Sequence, residues 1–306
     1  MKKLTKKRQR QIKVWTRAGI QILFFLFLPS AYSGAFSGIK DLFLKMGMGQ
    51  KLAWTPFLAL LCVLCGYTII FGRFFCGYAC AFGSLGDWIF ALHRAIARKR
   101  KKPMKQMPRE LAKGLAYMKY VVLAVIVLLC YWGTYDKLHG TSPWEVFSLL
   151  HARHFDLTGY AVGLTLLLLI MVGMFFEERF FCKFLCPMGA VFSLMPVLPF
   201  FALHRDRPDC LKNCERCTKS CPANVQLPSD GSLAVSPDCF QCGRCIGECP
   251  VDNIHAGLHS DGPLNNRKKL EKTEGKKPRR RLRSDELWFT LLRAALLAAL
   301  LVWLGA

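Results

Sequence analysis

Acidic residues are scarce in this chain of 306 residues. There are 20 Asp and Glu against 43 Lys and Arg, which gives a net charge of +23 at pH 7. This balance excludes an acidic disordered tail protein. Apolar residues nevertheless make up 53% of the chain, and its mean hydropathy is +0.25. We therefore expect the apolar residues to be segregated into blocks apart from the charges.

Other absences limit the chemistry. No stretch resembles a nucleotide-binding or flavin-binding motif, so a soluble donor such as NADH would need another chain. No apolar block has a His in its interior, and a membrane haem b is usually held by such residues, so we expect no haem bound by this chain alone. The 15 Cys are too sparse for a small disulfide scaffold. Their short, regular spacings favour metal ligation over disulfides.

Five apolar stretches approach the length of about 20 helical residues that a bilayer requires. They lie at residues 18–37, 54–72, 115–135, 159–177 and 287–305. The first is interrupted by polar residues and Pro29, and an alternative is a signal peptide cleaved near Ala35. In either case the later stretches predict a membrane protein.

Lys and Arg residues are distributed unevenly between these stretches. Eight lie in residues 1–17, ten in 94–119 and ten in 267–283, whereas residues 38–53 have three and residues 136–157 have two. Because basic residues stay preferentially on the cytoplasmic side, we predict that the N-terminus and the regions after the second and fourth spans are cytoplasmic. The C-terminus is then outside. The charge would also attract anionic lipid headgroups, and nucleic-acid binding is not expected because the basic runs flank apolar spans.

Two cysteine runs follow the fourth apolar stretch. The first run consists of Cys210, Cys214, Cys217 and Cys221, and the second of Cys239, Cys242, Cys245 and Cys249. Each ends in Cys-Pro, as in bacterial ferredoxins, and thiolates bind iron through sulfur, four to a 4Fe-4S cluster. The second run matches the bacterial spacing, whereas the first has one extra residue in 211–213.

The likeness to two-cluster ferredoxins implies crossed ligands, because there the fourth Cys of each run ligates the other cluster. One 4Fe-4S cluster would be held by Cys210, Cys214, Cys217 and Cys249, and the second by Cys239, Cys242, Cys245 and Cys221. The lengthened first run leaves a three-iron or altered first cluster open. Zinc also takes four Cys and is the other metal considered, while disulfides are disfavoured on the reducing side of the membrane.

A second cysteine pattern occurs twice, directly after the second and fourth apolar stretches. The motif RFFC-x3-C-x2-G begins at Arg73 and again at Arg179. The two copies follow spans of the same direction, which predicts parallel repeats related by an axis along the membrane normal. Each copy would place two Cys at the cytoplasmic edge of the membrane.

We predict that these two pairs form a third iron-sulfur site. Its ligands would be Cys76, Cys80, Cys182 and Cys186, since Cys at i and i+4 project from one helical face and a cluster needs four thiolates. One alternative is an interfacial anchor with Arg at the headgroups and Cys as apolar filler. Another is a redox-active thiol pair near a quinone site. In every version the motif Gly permits close backbone packing.

Together these motifs resemble the NapH/MauN family of ferredoxin-type membrane proteins and the electron-transfer portion of NosR. The likeness covers about residues 15–260. It implies electron transfer between a membrane quinol pool or a partner and a periplasmic redox system. This chain departs from the pattern at Ala81, where a Pro is expected, in its lengthened first cysteine run, and in its fifth span, which we expect to dock a partner subunit.

The predicted fold is an α-helical polytopic membrane protein of about five spans, with an internal parallel repeat and a small α+β segment like a two-cluster bacterial ferredoxin. The predicted parts are a basic cytoplasmic N-terminus (1–17), a four-span membrane domain (18–203), a ferredoxin segment (204–260), a basic linker (261–286) and a C-terminal transmembrane helix (287–306). The expected location is a bacterial inner membrane.

The predicted function is electron transfer in anaerobic respiration, between the quinone pool and a partner redox protein, as a subunit of a quinol dehydrogenase-type complex. In the predicted outer loop, His139, His151 and His154 are either candidates to accept quinol protons or ordinary solvated residues. The alternative functions are a maturation factor that reduces a metal or thiol for a respiratory enzyme, and an iron-sulfur redox sensor, for which no output domain is visible.

Overall fold

The structure, a computed structural model, describes most of the chain. It covers residues 6–51, 53–101, 107–135, 140–154, 158–198, 203–206, 210–211, 214–227, 230–234, 236–250, 254–256 and 284–305. The predicted linker at 261–286 lies outside the described residues as far as residue 283, and so do His139 and two of the three residues at 211–213. Helices dominate the described part.

The boundaries of the helices follow local signals in the sequence. The larger set of helices is α1 (Lys6–Phe27), α2 (Ala31–Gly47), α3 (Pro56–Phe71), α4 (Ala81–Lys99), α5 (Arg109–Leu115), α6 (Met118–Tyr131), α7 (Pro143–His151), α8 (Ala161–Phe176), α9 (Phe180–Phe184) and α10 (Pro187–Leu194), with a π-helical turn at Phe75–Ala79. Helix α3 begins where Thr55 Oγ1 accepts the Leu58 N–H at 3.3 Å. It ends at Gly72, whose φ of +66° suits glycine.

The apolar stretches form helices, but few reach a full membrane span. Among the described residues, Glu110–Tyr131 is long and apolar enough to cross a membrane, and Gln11–Phe27 with Ala31–Gly47 would add a second span if this pair, bent by 62°, acts as one. The shorter apolar helices are Pro56–Phe71, Ala161–Phe176 and Leu287–Trp303. The prediction of a mostly helical protein is confirmed, whereas the prediction of five spans is not.

Helix α7 lies in the segment for which we predicted an outer loop, and it packs on the repeats. It contacts α8, and its Phe147 ring lies 4.3 Å from the ring of Phe82. The Trp144 ring lies 5.9 Å from that of Phe181. Since Phe82 follows Cys80 and Phe181 precedes Cys182, α7 reaches both copies of the motif.

The ferredoxin segment has a sheet and a core of its own. Strand β1 (Leu203–Asp206) pairs antiparallel with β2 (Asp230–Ala234) and β3 (Ile254–Ala256). Two short helices, α11 (Arg216–Lys219) and α12 (Arg244–Glu248), accompany it. The buried residues of this core are Leu203, Cys217, Leu227, Ile246, Cys249 and Ile254. The last described helix is α13 (Ser284–Trp303), and it contacts α1 and α3.

Candidate iron-sulfur site

Breaks between helices bring the four Cys of the repeats together. Cys76 lies in the π-helical turn, Cys80 caps α4, Cys182 lies in α9 and Cys186 caps α10, and all four are buried. Burial raises the pKa of Cys80 well above the usual thiol value, and the charges of Cys182, Cys76 and Cys186 raise it further. The other three Cys are thus near enough to Cys80 for their charges to act on it, and we call these four Cys the four-thiol site.

The expectation that each Cys pair projects from one face of a continuous helix is wrong. Cys80 and Cys186 have extended backbones, with ψ of 123° and 114°, so each ends one helical segment and caps the next. Pro187 occupies the first turn of α10, whereas Ala81 begins α4. Because the two capping residues adopt similar backbone angles, the replacement of the expected Pro by Ala81 leaves the turn unchanged.

A helix N-terminus faces the second Cys of each pair. The Sγ atom of Cys186 accepts the N–H of Gly189 at 3.1 Å, and the amide of Gly83 favours the charged form of Cys80. Burial and the neighbouring thiols still raise the pKa of Cys186 to about 12. Free amides at a helix start stabilise negative charge. The C-x2-G spacing thus places an N–H donor beside a sulfur that must be a thiolate to bind iron.

The Arg that opens each motif packs against the Gly that closes the other copy. A Cβ on Gly83 would lie 2.7 Å from Arg179 Nη1 and 2.7 Å from the Cys76 oxygen. A Cβ on Gly189 would lie 2.9 Å from Arg73 Nη2. Both Arg residues are only 1% exposed. The two copies are thus interlocked, and the alternative that places these Arg residues at the headgroups disagrees with their burial.

Arg179 is held by a carboxylate. Its Nε and Nη2 atoms donate to Asp87 at 2.8 and 2.5 Å, and its Nη1 donates to the Cys76 oxygen. Arg17 and Gln21 each donate to Asp87 at 2.6 Å. Burial would raise the pKa of Asp87, but Arg17 and Arg179 outweigh it and bring that pKa to about 2. The carboxylate therefore stays charged.

Arg73 has a different set of partners. Its Nη1 donates to Asp238 at 3.1 Å and to Ser193 at 3.2 Å. Lys119 donates to the same two groups, at 2.6 and 2.9 Å. Within the described part of the chain, the buried Nε and Nη2 atoms of Arg73 have no hydrogen-bond acceptor. This is unusual because buried donors are normally paired.

Phe240, next to Cys239 in the ferredoxin segment, lies against both Arg residues. The ring centroid is 4.8 Å from Arg73 Cζ and 5.2 Å from Arg179 Cζ, which are cation–π distances. Burial lowers the pKa of Arg179, but Asp87, Cys182 and Cys242 together raise it above its usual value. The guanidinium groups and the phenyl ring therefore lie between the four-thiol site and the second cysteine run.

An ion pair on the other side of this contact fixes the same loop. Arg244 donates to both carboxylate oxygens of Glu178 at 2.6 and 2.5 Å. The Phe240 carbonyl approaches Gly77 so closely that a Cβ there would lie 2.4 Å from its oxygen. Together with Asp238, these contacts attach residues 238–244 to both copies of the motif, and we call this segment the docking loop.

The structure brings Cys221 to the second cysteine run. Burial raises the pKa of Cys239 to about 12, and the charges of Cys242 and Cys221 act in the same direction. The pKa of Cys245 is raised by burial and by Cys242, Cys239 and Cys221. The crossed ligand assignment also groups these four Cys, and it stays a prediction.

The members of the other predicted set differ in burial. Cys217 and Cys249 share the small core of the ferredoxin segment, whereas Cys210 and Cys214 are half-buried. Arg205 Nη1 donates to Cys217 Sγ at 3.5 Å. A cavity of about 560 Å³ lies between this segment and α1, α3 and α13. Five thiols line it, those of Cys217, Cys221, Cys239, Cys242 and Cys245.

The donor sets fit iron-sulfur clusters better than single metal ions. Among the residues that the structure describes, no group of three or more His, Cys, Asp and Glu is placed to hold one ion. A single zinc ion draws its ligands to about 2.3 Å from itself, whereas a cubane keeps its four Cys farther apart. Groups of four Cys that do not converge on one point are compatible with a cubane.

Several residues of this site were missed by sequence analysis. Asp87, Asp238 and Phe240 have no motif of their own, although two of them flank Cys239. One usable signal was the scarcity of acidic residues, because an Asp close to a cysteine motif in so basic a chain is a candidate partner for a buried Arg. No comparable signal identified Phe240.

A family model described as a 4Fe-4S binding domain matches residues 53–103 and 161–201. The first segment includes Cys76 and Cys80, and the second includes Cys182 and Cys186. The prediction of a 4Fe-4S protein is therefore confirmed. The ferredoxin segment lies outside the two matched segments.

Among curated proteins, the chain is 28% identical over 232 residues to the uncharacterized protein MJ0750 of Methanocaldococcus jannaschii, covering 76% of this chain and 89% of that protein. It is 27% identical to the ferredoxin-type protein NapH of Haemophilus influenzae, covering 60% and 61%. It is 26% identical to the regulatory protein NosR of Pseudomonas aeruginosa, covering 75% of this chain but 32% of NosR. No solved structure matches significantly. The resemblance inferred from the cysteine motifs is thus confirmed, and the chain is a NapH-like ferredoxin-type protein.

Proposed function

We propose that this protein is an inner-membrane electron carrier that transfers electrons between the quinone pool and a partner redox protein. The observation that carries the proposal is the docking loop, in which Phe240 lies between the four-thiol site and the second cysteine run. The NapH and NosR relatives and the 4Fe-4S family match support the same class of function. Bound clusters would supply the reversible uptake of single electrons.

Twelve Cys would hold three clusters. The four-thiol site uses Cys76, Cys80, Cys182 and Cys186; one ferredoxin cluster uses Cys210, Cys214, Cys217 and Cys249; the other uses Cys239, Cys242, Cys245 and Cys221. The family match at the two copies of the motif favours the first of these sites over the apolar-filler and thiol-pair alternatives. The chain itself excludes water from the four-thiol site, because all four Cys of that site are buried.

The predicted topology and domain boundaries become part of this proposal. Basic residues favour a cytoplasmic ferredoxin segment, and the apolar helices favour a membrane location. The charge distribution assigns α7 to the outer side, yet α7 packs Trp144 and Phe147 against the phenyl rings beside the four-thiol site, so the two cannot lie at opposite edges of a bilayer about 30 Å thick. The proposed topology therefore requires α7 to enter the membrane from the outer side. This contact gives a short path from that site toward a periplasmic partner or a quinone.

Iron analysis of anaerobically purified protein tests the number of clusters. We expect about twelve Fe per chain, because each cubane has four. Replacing Cys76→Ser together with Cys182→Ser should remove about four and leave the ferredoxin clusters in place. The matched control is Cys62→Ser with Cys130→Ser, which lie outside all three sets and should leave the iron content unchanged. About eight Fe in the wild type would rule out the third site.

Reoxidation of the reduced protein tests the reaction. Rapid oxidation by a quinone analogue supports the carrier, whereas oxidation by Cu(II) or a client disulfide alone would favour a maturation factor. Protease mapping in sealed vesicles tests the orientation. Cleavage near residue 240 from the outer face would contradict the proposed cytoplasmic location.

A further inference from the structure

The two interlocked Arg residues use their N–H groups differently. Each of the three nitrogen atoms of Arg179 donates a hydrogen bond, and Asp87 takes two of them. Arg73 uses Nη1 alone, and its Nε and Nη2 are buried without an acceptor among the described residues. A buried guanidinium with two unsatisfied N–H groups costs free energy unless a group absent from the protein chain accepts them.

The unsatisfied side of Arg73 lies at the four-thiol site. Arg73 Nη2 is 2.9 Å from the point where a Cβ on Gly189 would sit, and the Cys182 oxygen and Cys186 Cβ are 3.1 and 3.3 Å from that point. The charges of Cys76, Cys186 and Cys182 all raise the pKa of Arg73. Its Nη1 atom, in contrast, is bound to Asp238 and Ser193.

Lys119 provides an internal comparison. It is buried like Arg73 and donates to the same Asp238 and Ser193 oxygens. Two of its three ammonium N–H groups are taken up by one hydroxyl and one carboxylate, so removal of Lys119 changes the local charge without removing a donor at the Cys182–Cys186 turn. The two substitutions therefore separate a direct hydrogen bond from the general effect of charge.

We propose that Arg73 is a positioning residue that raises the reduction potential of the four-thiol site by directing its Nε–H and Nη2–H groups toward the sulfur atoms of a bound cluster. The inference rests on the proposed third cluster. Hydrogen bonds to sulfur and positive charge stabilise the more negative, reduced form, which raises the potential. Gly189 is then required because a side chain there would occupy the space of the Arg73 guanidinium.

Redox titration followed by electron paramagnetic resonance, on full-length protein in detergent, tests this inference. Arg73→Gln should lower the potential at the four-thiol site and leave those of the ferredoxin clusters nearly unchanged. We expect a change of about tenfold in the one-electron equilibrium, which corresponds to about 59 mV. Arg73→Lys should give a smaller shift because it keeps the charge but loses the planar donor pair.

Two results would overturn the proposal. The first is an unchanged reduction potential of the four-thiol site in Arg73→Gln protein that contains the cluster. If Arg73→Gln loses the cluster, the same result in cluster-containing Arg73→Lys overturns the proposal. The second is an equal shift in Lys119→Gln and Arg73→Gln, which would assign the effect to general charge. Iron content is measured on the same samples. A wild type with about eight Fe would instead refute the third cluster itself, so the two failures are distinguishable.

Discussion

The two copies of the RFFC motif have the same residues at the same spacing, but they differ in their surroundings. In the second copy, Arg179 is held by the buried Asp87, whose side chain is 12% exposed. In the first copy, Arg73 and Lys119 both bind Asp238, and the Asp238 side chain is 43% exposed. The motif therefore determines the thiols and the helix breaks, while residues outside it determine how each Arg is neutralised.

The difference also affects the attachment of the ferredoxin segment. The residue before Arg179 is Glu178, which binds Arg244, whereas the residue before Arg73 is Gly72. On the first copy, the docking loop is consequently held by its own Asp238. On the second copy, it is held by Glu178, which directly precedes the motif. An internal repeat can thus become asymmetric without any change in its Cys residues.

The largest effect should come from the two carboxylates. Asp87→Asn leaves the buried Arg179 without its counter-ion and should lower the free energy of unfolding by about 3–5 kcal/mol. Asp238→Asn should cost less, about 1–3 kcal/mol, because water reaches that carboxylate although it is the shared counter-ion of the buried Arg73 and Lys119. Thermal unfolding in detergent measures both. Equal losses would remove the proposed asymmetry between the copies.

The ion pairs of Glu178 should give an intermediate effect. Arg244→Gln removes a bidentate pair at 2.6 and 2.5 Å and should cost about 1.5–3 kcal/mol. Arg94 reaches Glu178 at 3.5 Å and is more exposed, so Arg94→Gln should cost less than about 1 kcal/mol. Hydrogen exchange in the docking loop should rise in the first variant only. An identical exchange pattern in the two variants would contradict this assignment.

The motif Gly residues should give the smallest difference between the copies. Gly83→Ala and Gly189→Ala should each lower the free energy of unfolding by about 1–3 kcal/mol, because the added methyl group overpacks the site. The loss should be larger at Gly83, where Arg179 Nη1 and a backbone oxygen both lie 2.7 Å from the added Cβ. Gly66→Ala is the control, because nothing lies within 4 Å of its added Cβ, and it should be neutral or stabilising by up to about 1 kcal/mol. Equal losses of melting temperature in Gly66→Ala and in the two motif Gly variants would contradict the packing of each Arg against the Gly of the other copy.

The cysteines were the most predictable feature of the chain, because metal ligands are set by residue type and short spacing. The repeated motif predicted that Cys76 and Cys80 would meet Cys182 and Cys186, and the structure brings them together. The helical geometry of each pair was wrong, since an i, i+4 spacing describes a continuous helix and cannot indicate that Cys80 and Cys186 cap new ones.

The membrane spans were less predictable. Apolar length alone favoured one crossing at residues 18–37, but the chain bends by 62° between Gln11–Phe27 and Ala31–Gly47. Hydropathy counts apolar residues and does not record where a helix breaks. Residues 136–157 were similarly predicted to form an outer loop, and the charge count behind that prediction does not record that α7 packs on the repeats through Phe147 and Trp144.

The sequence by itself determined that this is an iron-sulfur protein, with its apolar helices, its two ferredoxin-type cysteine runs and its duplicated motif, because these depend on residue type and local spacing. Only the tertiary structure decided that Arg73 and Arg179 cross over to the opposite copy, that Phe240 lies between them, and that Asp87 and Asp238 neutralise them unequally. These contacts join residues that are distant in sequence, and the burial of their charges depends on every helix packed around them.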